Sequence, residues 1–150
     1  MITRFDHVTV VVRDVDAAKR FFALLGFEEE KSVVIAGPPF AEYMGVDGIE
    51  AEHVTMVLAA AGPRTEVQIL KYRHPEPRPD PAIADLTKLG FNHVCFAVDD
   101  LAGEVARLTA NGVALRNQVM DFHDRKLVFL VGPEGITVEL AEWCGEEHRR

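Results

Sequence analysis

Cysteine is scarce in this chain. Cys95 and Cys144 are the only two, they show no CxxC spacing, and two residues make no disulfide framework. A reducing cytoplasm is therefore the expected location. Long apolar runs are missing as well: no stretch approaches the roughly 20 residues needed to span a bilayer, so no membrane partner is expected. The opening MITRFDHVTV goes straight into a strand pattern, which leaves no expected secretory signal. Positive charge is also short. Sixteen Lys and Arg stand against 24 Asp and Glu, a net charge of −8, and nucleic acid is excluded as an expected partner because phosphate binding rests on clustered Lys and Arg. The same charge says little about small substrates, since acidity serves solubility.

What the chain does contain is a repeat. FDHVTVVVRDVDAAKRFFALLGF (5–27) matches FNHVCFAVDDLAGEVARLTANGV (91–113), with Phe, His and Val at the same offsets. In each, an apolar strand leads to an acidic residue that opens a helix and a glycine that closes it. The ends match too, EVQILKY (66–72) against TVELAEW (137–143). His7 and Gln68 lie 61 residues apart and His93 and Glu139 46, so the first half carries 15 more. They are most easily placed in the Gly- and Pro-containing segment 36–51, which reads as a loop.

Each half reads as strand, helix, then three strands. Strands are expected at 5–12, 27–35, 52–60 and 65–72, with AGPR (61–64) as the turn between the last two. Asp14 caps a helix with Val15, Ala18, Phe21, Phe22 and Leu25 at helical spacing, and Gly26 supplies its left-handed stop. RHPEPRPDP (73–81) is a linker, because its prolines exclude helix interior and central strand. A short helix is expected at 82–89. The second half continues as a strand at 91–98, a helix at 100–110 stopped by Asn111-Gly112, and strands at 113–120, 126–132 and 136–143, with GPEG (132–135) as the last turn. The whole is one domain: module one 1–72, linker 73–90, module two 91–143 and a tail 144–150, whose HRR (148–150) is expected to be disordered.

Side-chain parity then points at a site. Alternate strand residues face opposite sides, and Val8, Val10 and Val12 form one apolar set, as do Val94, Phe96 and Val98, Val67 and Ile69, and Ile136, Val138 and Leu140. The other parity carries His7 with Thr9, His93 with Cys95, Gln68 with Glu66, and Glu139 with Thr137. If the eight strands curl into one cup with the helices outside, His7, Gln68, His93 and Glu139 converge within it. A single strand histidine is more often a hydrogen-bonded or surface residue than a ligand. Here the symmetry of two His and two amide or acid positions raises the joint case. Two imidazoles, a carboxylate and an amide oxygen suit Zn, Ni, Co, Mn or Fe, with coordination positions left for substrate or water.

FDHVTVVVRDVDAAKRFFALLGF and FNHVCFAVDDLAGEVARLTANGV resemble the openings of the paired βαβββ modules of the vicinal oxygen chelate (glyoxalase-like) superfamily. GPEGITVELAEW resembles its closing strand, with the metal-ligand glutamate in VEL, here Glu139. The resemblance covers nearly the whole chain and is weakest in 36–51. It implies an α+β fold in which two paired βαβββ modules form one cupped eight-stranded mixed sheet with helices outside. It further implies a homodimer, a small-molecule substrate and one divalent metal ion held by His7, Gln68, His93 and Glu139. The ligand order His, Gln, His, Glu is similar to that of methylmalonyl-CoA epimerase, whereas bacterial glyoxalase I more often has Glu where Gln68 stands. The epimerase also carries a catalytic glutamate in the strand before the glutamine strand. That position is Thr55 here, with Glu52 three residues away and Glu50 and Glu42 in the inserted segment.

The resemblance implies a metal-dependent isomerase or lyase that stabilises an enolate or oxyanion of a small carbonyl or thioester substrate. Glu139 is the candidate base if it can leave the metal, as in glyoxalase I. His53 shares the polar parity and is a second candidate. Thr9, His53, Thr55, Cys95 and His123 are candidate pocket residues, and Phe40, Tyr43 and Met44 could line or lid the pocket from the inserted segment. Two alternatives stay open. One is an extradiol-type dioxygenase, which Gln68 opposes by occupying a position that oxygen needs. The other is a metal-free small-molecule (antibiotic) binding protein, which the retained ligand types oppose.

Overall fold

The computed structural model describes residues 1–60 and 62–145. The chain divides into two compact units, Met1–Pro79 and Asp80–Arg150, with the boundary inside the expected linker. The fold is α+β, and each unit builds its own four-stranded mixed sheet.

The first unit contains β1 (His7–Val11), α1 (Val15–Leu24), β2 (Phe27–Ala36), α2 (Pro38–Met44), β3 (Glu50–Leu58) and β4 (Glu66–His74). Its strand order is β1-β4-β3-β2. β1 runs parallel to β4, and the other neighbours are antiparallel. α1 starts where expected, because the Asp14 carboxylate accepts the Ala17 N–H at 2.9 Å and so satisfies one of the free donors of the first turn. It ends at Gly26, whose φ of 96° only glycine adopts at no steric cost. Val15, Ala18 and Phe22 are buried on the face of α1 turned to the sheet. The valine parity of β1 is buried with them at Val10 and Val12, as are Val54, Met56, Val67 and Ile69.

The second unit contains β5 (Val94–Ala97), α3 (Leu101–Ala110), β6 (Met120–Phe122), β7 (Arg125–Val131), a 3-10 turn at Pro133–Gly135 and β8 (Thr137–Trp143). Its order, β5-β8-β7-β6, repeats the first, with β5 parallel to β8. Asp100 caps α3 through the Gly103 N–H at 2.9 Å. Glu142 on β8 accepts the Leu101 N–H at 2.8 Å, which ties the helix start to the sheet. Leu101 and Leu108 are fully buried. Trp143 packs on its cross-strand partner Arg125, whose guanidinium lies 5.1 Å from the ring centroid.

Three expectations are corrected. Segment 36–51 is not merely a loop, because Pro38–Met44 is a helix and β3 already begins at Glu50. Pro at the first helical turn and Gly45 in the left-handed conformation at its end are ordinary helix boundaries, so the residues that suggested a loop instead delimit α2. The helix expected at 82–89 is a run of turns. Asp80 takes the Ala82 N–H and Asp85 takes both the N–H and the hydroxyl of Thr87, side-chain bonds that compete with a helical ladder. The strand expected at 113–120 shrinks to a single bridge, Leu115 to Leu130, and to β6 at Met120–Phe122. There the Asn117 side chain accepts the Phe129 N–H that a strand carbonyl would otherwise take. The expectation for HRR concerns residues outside the described ones, as does Ala61 of the AGPR turn. Among the described residues no helix is long and apolar enough to cross a membrane.

Candidate functional site

In the first unit His7 opens β1 opposite Glu66, and Thr9 is paired with Gln68. Across the next ladder Gln68 is paired with Thr55, and His53 with Leu70. Cα partners share a face, so His7, Thr9, Glu66, Gln68, Thr55 and His53 occupy the side of the sheet opposite α1, as parity predicted. Thr55 is nearly buried there. Further along the same face the residues turn apolar: Leu70, Ala51 and Ile35 pack with Ile49, Ala41, Val46 and Tyr72. The polar part of the face therefore stops where α2 and the segment after it begin. Phe40, Tyr43 and Met44 are on the exposed side of α2.

The polar groups of this face are wired together. Gln68 Nε2 donates to Glu66 Oε2 at 3.1 Å. A carboxylate only accepts, so the amide oxygen must point the other way. There it accepts from His53 Nε2 at 3.1 Å, which places the His53 proton on Nε2. Glu66 Oε1 accepts from Arg64 Nε at 2.8 Å, and the far side of that guanidinium clamps Glu30. The N–H of Gln68, and next Arg64, hold the Glu66 carboxyl below the usual carboxylate range.

A depressed carboxyl pKa contributes stability that is present above the unfolded pKa and is lost as pH falls through the folded one. In metal-free protein Glu66 is thus expected to titrate below the ordinary glutamate value, and a Gln68→Ala substitution to raise its midpoint toward that value. Carbon-13 NMR of the side-chain carboxyl reads both. A wild-type midpoint at or above the free value would refute the network.

In the second unit His93 sits immediately before β5, not within a strand beginning at 91. Its Nε2 is 3.8 Å from Glu139 Oε1, and its ring meets Phe129 edge-on with centroids 5.3 Å apart. Cys95 and Phe129 flank Glu139 on the neighbouring strands. Phe129 therefore holds the register place that Thr55 holds in the first unit. Crowding of the Cys95 thiol by protein, then its hydrogen bond to Glu139 and the charge of that group, push its pKa up to about 12, although the residue keeps solvent exposure. A thiol so protonated at neutral pH is a filler and not a nucleophile.

Some candidates are not brought to these faces. His123 is an exposed residue with φ of 48° in the β6–β7 turn. That turn lies beyond the Trp143 end of β8, four residues from Glu139, or about 13 Å along the strand. Glu52 has the parity of Val54 and Met56 and is paired with Lys71, which puts it on the α1 side. Glu50 is ion-paired with Arg73 at 3.3 Å, and Glu42 lies exposed on α2. His53 is thus the basic side chain that β3 itself brings to the polar face. Sequence reading had missed Asp6, whose carboxylate lies with the ligand atoms of His7 and Glu66 inside a 4.8 Å cluster. The adjacency of an acid to the histidine was its only signal.

Two βαβββ units, each with an imidazole and a side-chain oxygen at equivalent places on its open face, define the vicinal oxygen chelate class. A model of the Glyoxalase/Bleomycin resistance protein/Dioxygenase superfamily matches residues 6–129, and the chain belongs to that superfamily. Its structure is similar to that of a glyoxalase family protein from Bacillus cereus, at 28% identity over 97% of both chains with a TM-score of 0.86. It shares the fold of a fosfomycin resistance protein from Listeria monocytogenes, complexed with Mn(II) and sulfate, at 16% identity over 99% and 98% of the two chains with a TM-score of 0.64. Among curated proteins, glyoxalase I of Saccharomyces cerevisiae is 30% identical over 57 residues, 38% of this chain and 18% of that protein. Lactoylglutathione lyase of Schizosaccharomyces pombe is 32% identical over 53 residues, 35% of this chain and 18% of that protein. The match thus spans less than a fifth of the length of these two relatives.

Proposed function

We propose that the protein is a metal-dependent lyase or isomerase of the glyoxalase type, binding one divalent ion through His7, Gln68, His93 and Glu139. The observation that carries this reading is the repetition of an imidazole and a side-chain oxygen in both units, His7 and His93 at matching places in the repeat and Gln68 and Glu139 at equivalent register positions on the face away from the helix. The donor chemistry fits. Two imidazole nitrogens, an amide oxygen already oriented by Glu66, and a carboxylate make a nitrogen and oxygen set suited to Zn, Ni, Co, Mn or Fe, and the protonated Cys95 adds no thiolate to it. A bound divalent ion would supply Lewis acidity toward the neighbouring oxygens of a small carbonyl or thioester substrate.

The chain's own groups supply the rest. Glu139 is the proposed proton acceptor for the acidic C–H. His53, which donates from Nε2 and keeps a lone pair on Nδ1, is the second basic group of the polar face. The named relatives favour a glutathione hemithioacetal as the first substrate to try. A homodimer and a cytoplasmic location belong to the same reading.

The test is metal content by plasma mass spectrometry on protein purified without chelator, beside a His7→Ala, Glu139→Ala double variant. We expect near-stoichiometric metal in the wild type, loss of it in the variant, and turnover by the loaded protein of the adduct of methylglyoxal and glutathione. Iron as the bound metal, with ring cleavage of a catechol, would shift the reading to a dioxygenase. A wild type that took up no divalent metal after reconstitution would end the catalytic reading and leave a small-molecule binder.

A further inference from the structure

The two histidines are held in the same way by the residue directly before each of them. His7 Nδ1 lies 2.7 Å from Asp6 Oδ1, and His93 Nδ1 lies 2.7 Å from Asn92 Oδ1. An ionised carboxylate accepts and cannot donate, so the ring nitrogen facing Asp6 carries the hydrogen. For Asn92 the orientation of the amide decides the matter, and a second bond fixes it: Asn92 Nδ2 donates to the Leu86 carbonyl at 2.7 Å. Turning the amide over would set oxygen against oxygen there, so Oδ1, which only accepts, is the atom that faces the histidine. His93 is thus also protonated on Nδ1. Its other nitrogen, Nε2, is the atom turned toward Glu139.

An imidazole binds a metal through a bare nitrogen, and which nitrogen is bare is set by the bond the other one makes. We propose that Asp6 and Asn92 are positioning residues that lock His7 and His93 as Nδ1–H tautomers, so that each presents the Nε2 lone pair to the metal. The inference rests on the metal-binding reading above. The cluster of Asp6, His7 and Glu66 has a rival use, as three direct ligands. Its oxygens are already engaged, however: Asp6 by His7 and, through Oδ2, by Arg4 at 3.2 Å, and Glu66 by Gln68 and Arg64. In both halves the lock comes from the residue directly before the histidine, with Asn92 itself held by the Leu86 carbonyl.

Long-range nitrogen-15 NMR of the metal-free protein, at a pH where the rings are neutral, reads the tautomers directly. We expect Nδ1–H for His7 and His93 in the wild type. Asp6→Ala should move His7 toward Nε2–H, the form free imidazole side chains favour, and leave His93 unchanged. Asp6→Asn, made together with Arg4→Ala so that no donor opposes the amide nitrogen, keeps an acceptor oxygen beside His7 and should restore Nδ1–H. Competition titration with Zn(II) should show affinity about 10- to 100-fold weaker in Asp6→Ala, with most of it recovered in Asp6→Asn. Matching circular dichroism spectra keep the variants comparable.

An Nδ1–H His7 in Asp6→Ala, or an Asp6→Asn protein that behaves as Asp6→Ala does, would overturn the lock. If Asp6→Asn kept the tautomer yet lost zinc as fully as a His7→Ala protein, Asp6 would be a direct ligand and the positioning role would fall. Wild-type rings that are Nδ1–H in a protein binding no Zn(II) would leave the lock standing and overturn the metal reading alone.

Discussion

Glu139→Ala is expected to weaken Zn(II) binding by more than about 100-fold, beyond the upper end of what loss of an outer-sphere partner costs. Of the four proposed donors Glu139 is the only anion, and its side chain is just 13% exposed. Its surroundings offer no replacement: Cys95 is protonated at neutral pH and Phe129 is apolar. A cation in that setting would lose its single compensating charge where screening by water is weak. Glu139→Gln keeps an oxygen in place and removes only the charge, so it should fall between wild type and alanine.

The same loss has a thermal signature. Ligand at 100 times its dissociation constant stabilises a protein by about 2.7 kcal/mol, which in a chain of this size raises the melting temperature by roughly 5–11 °C. Wild-type protein should show a shift of that size with excess Zn(II), and Glu139→Ala should show almost none. Without metal Glu139 meets the Cys95 thiol and approaches His93 Nε2 only at 3.8 Å, so the two metal-free proteins are expected to melt close together. Wild-type zinc affinity in Glu139→Ala would remove Glu139 from the site.

Much of this arrangement is legible in the amino-acid order, and the parts that are not share a physical cause. Period-two alternation placed His7, Gln68 and Glu139 on the face away from the helices, and the repeat made the second pair redundant with the first. The capping aspartates Asp14 and Asp100 marked both long helices within a residue. The failures fall where a side chain takes a bond that the backbone would otherwise form. Asp80 and Asp85 break 82–89 into turns, and Asn117 replaces a strand carbonyl opposite Phe129. No periodicity reports such substitutions. In α2 the punctuation was read correctly and its sense inverted, since Pro38 and Gly45 are boundaries of a short helix as readily as of a loop.

The partners of the ligands were equally hidden. Parity gives the face of Gln68 but not which end of its amide meets Glu66, and nothing in the spacing says that His7 spends Nδ1 on Asp6. These are rotamer-level facts. The repeated pair Asp6-His7 and Asn92-His93 is their only trace in the sequence. Position also separates the glutamates of the third strand from its histidine. Glu52, a residue away from His53, faces the wrong side.

Phe22→Ala, in contrast, is expected to cost stability and leave the metal alone. Phe22 is fully buried on α1, edge-on to Phe21 at 5.2 Å and to Phe27 at 6.0 Å between ring centroids. Truncating a buried phenylalanine costs about 3–5 kcal/mol, the transfer of the ring plus the cavity it leaves, and so lowers the melting temperature by roughly 6–20 °C. Its repeat mate Leu108, also fully buried, should cost about 2–5 kcal/mol when truncated to alanine. Phe22 belongs to the α1 face of the first sheet, whereas His7 and Gln68 belong to the opposite one, with the β-strand backbone between them. At a temperature where Phe22→Ala is still folded, its zinc affinity should therefore lie within a few-fold of wild type. Thermal melts and zinc titrations on the Phe22→Ala and Glu139→Ala proteins should give opposite splits, one losing stability without affinity and the other affinity without stability. Equal loss of zinc affinity in Phe22→Ala would mean that helix packing sets the geometry of the ligand face, and the separation of the two faces argued from strand parity would fail.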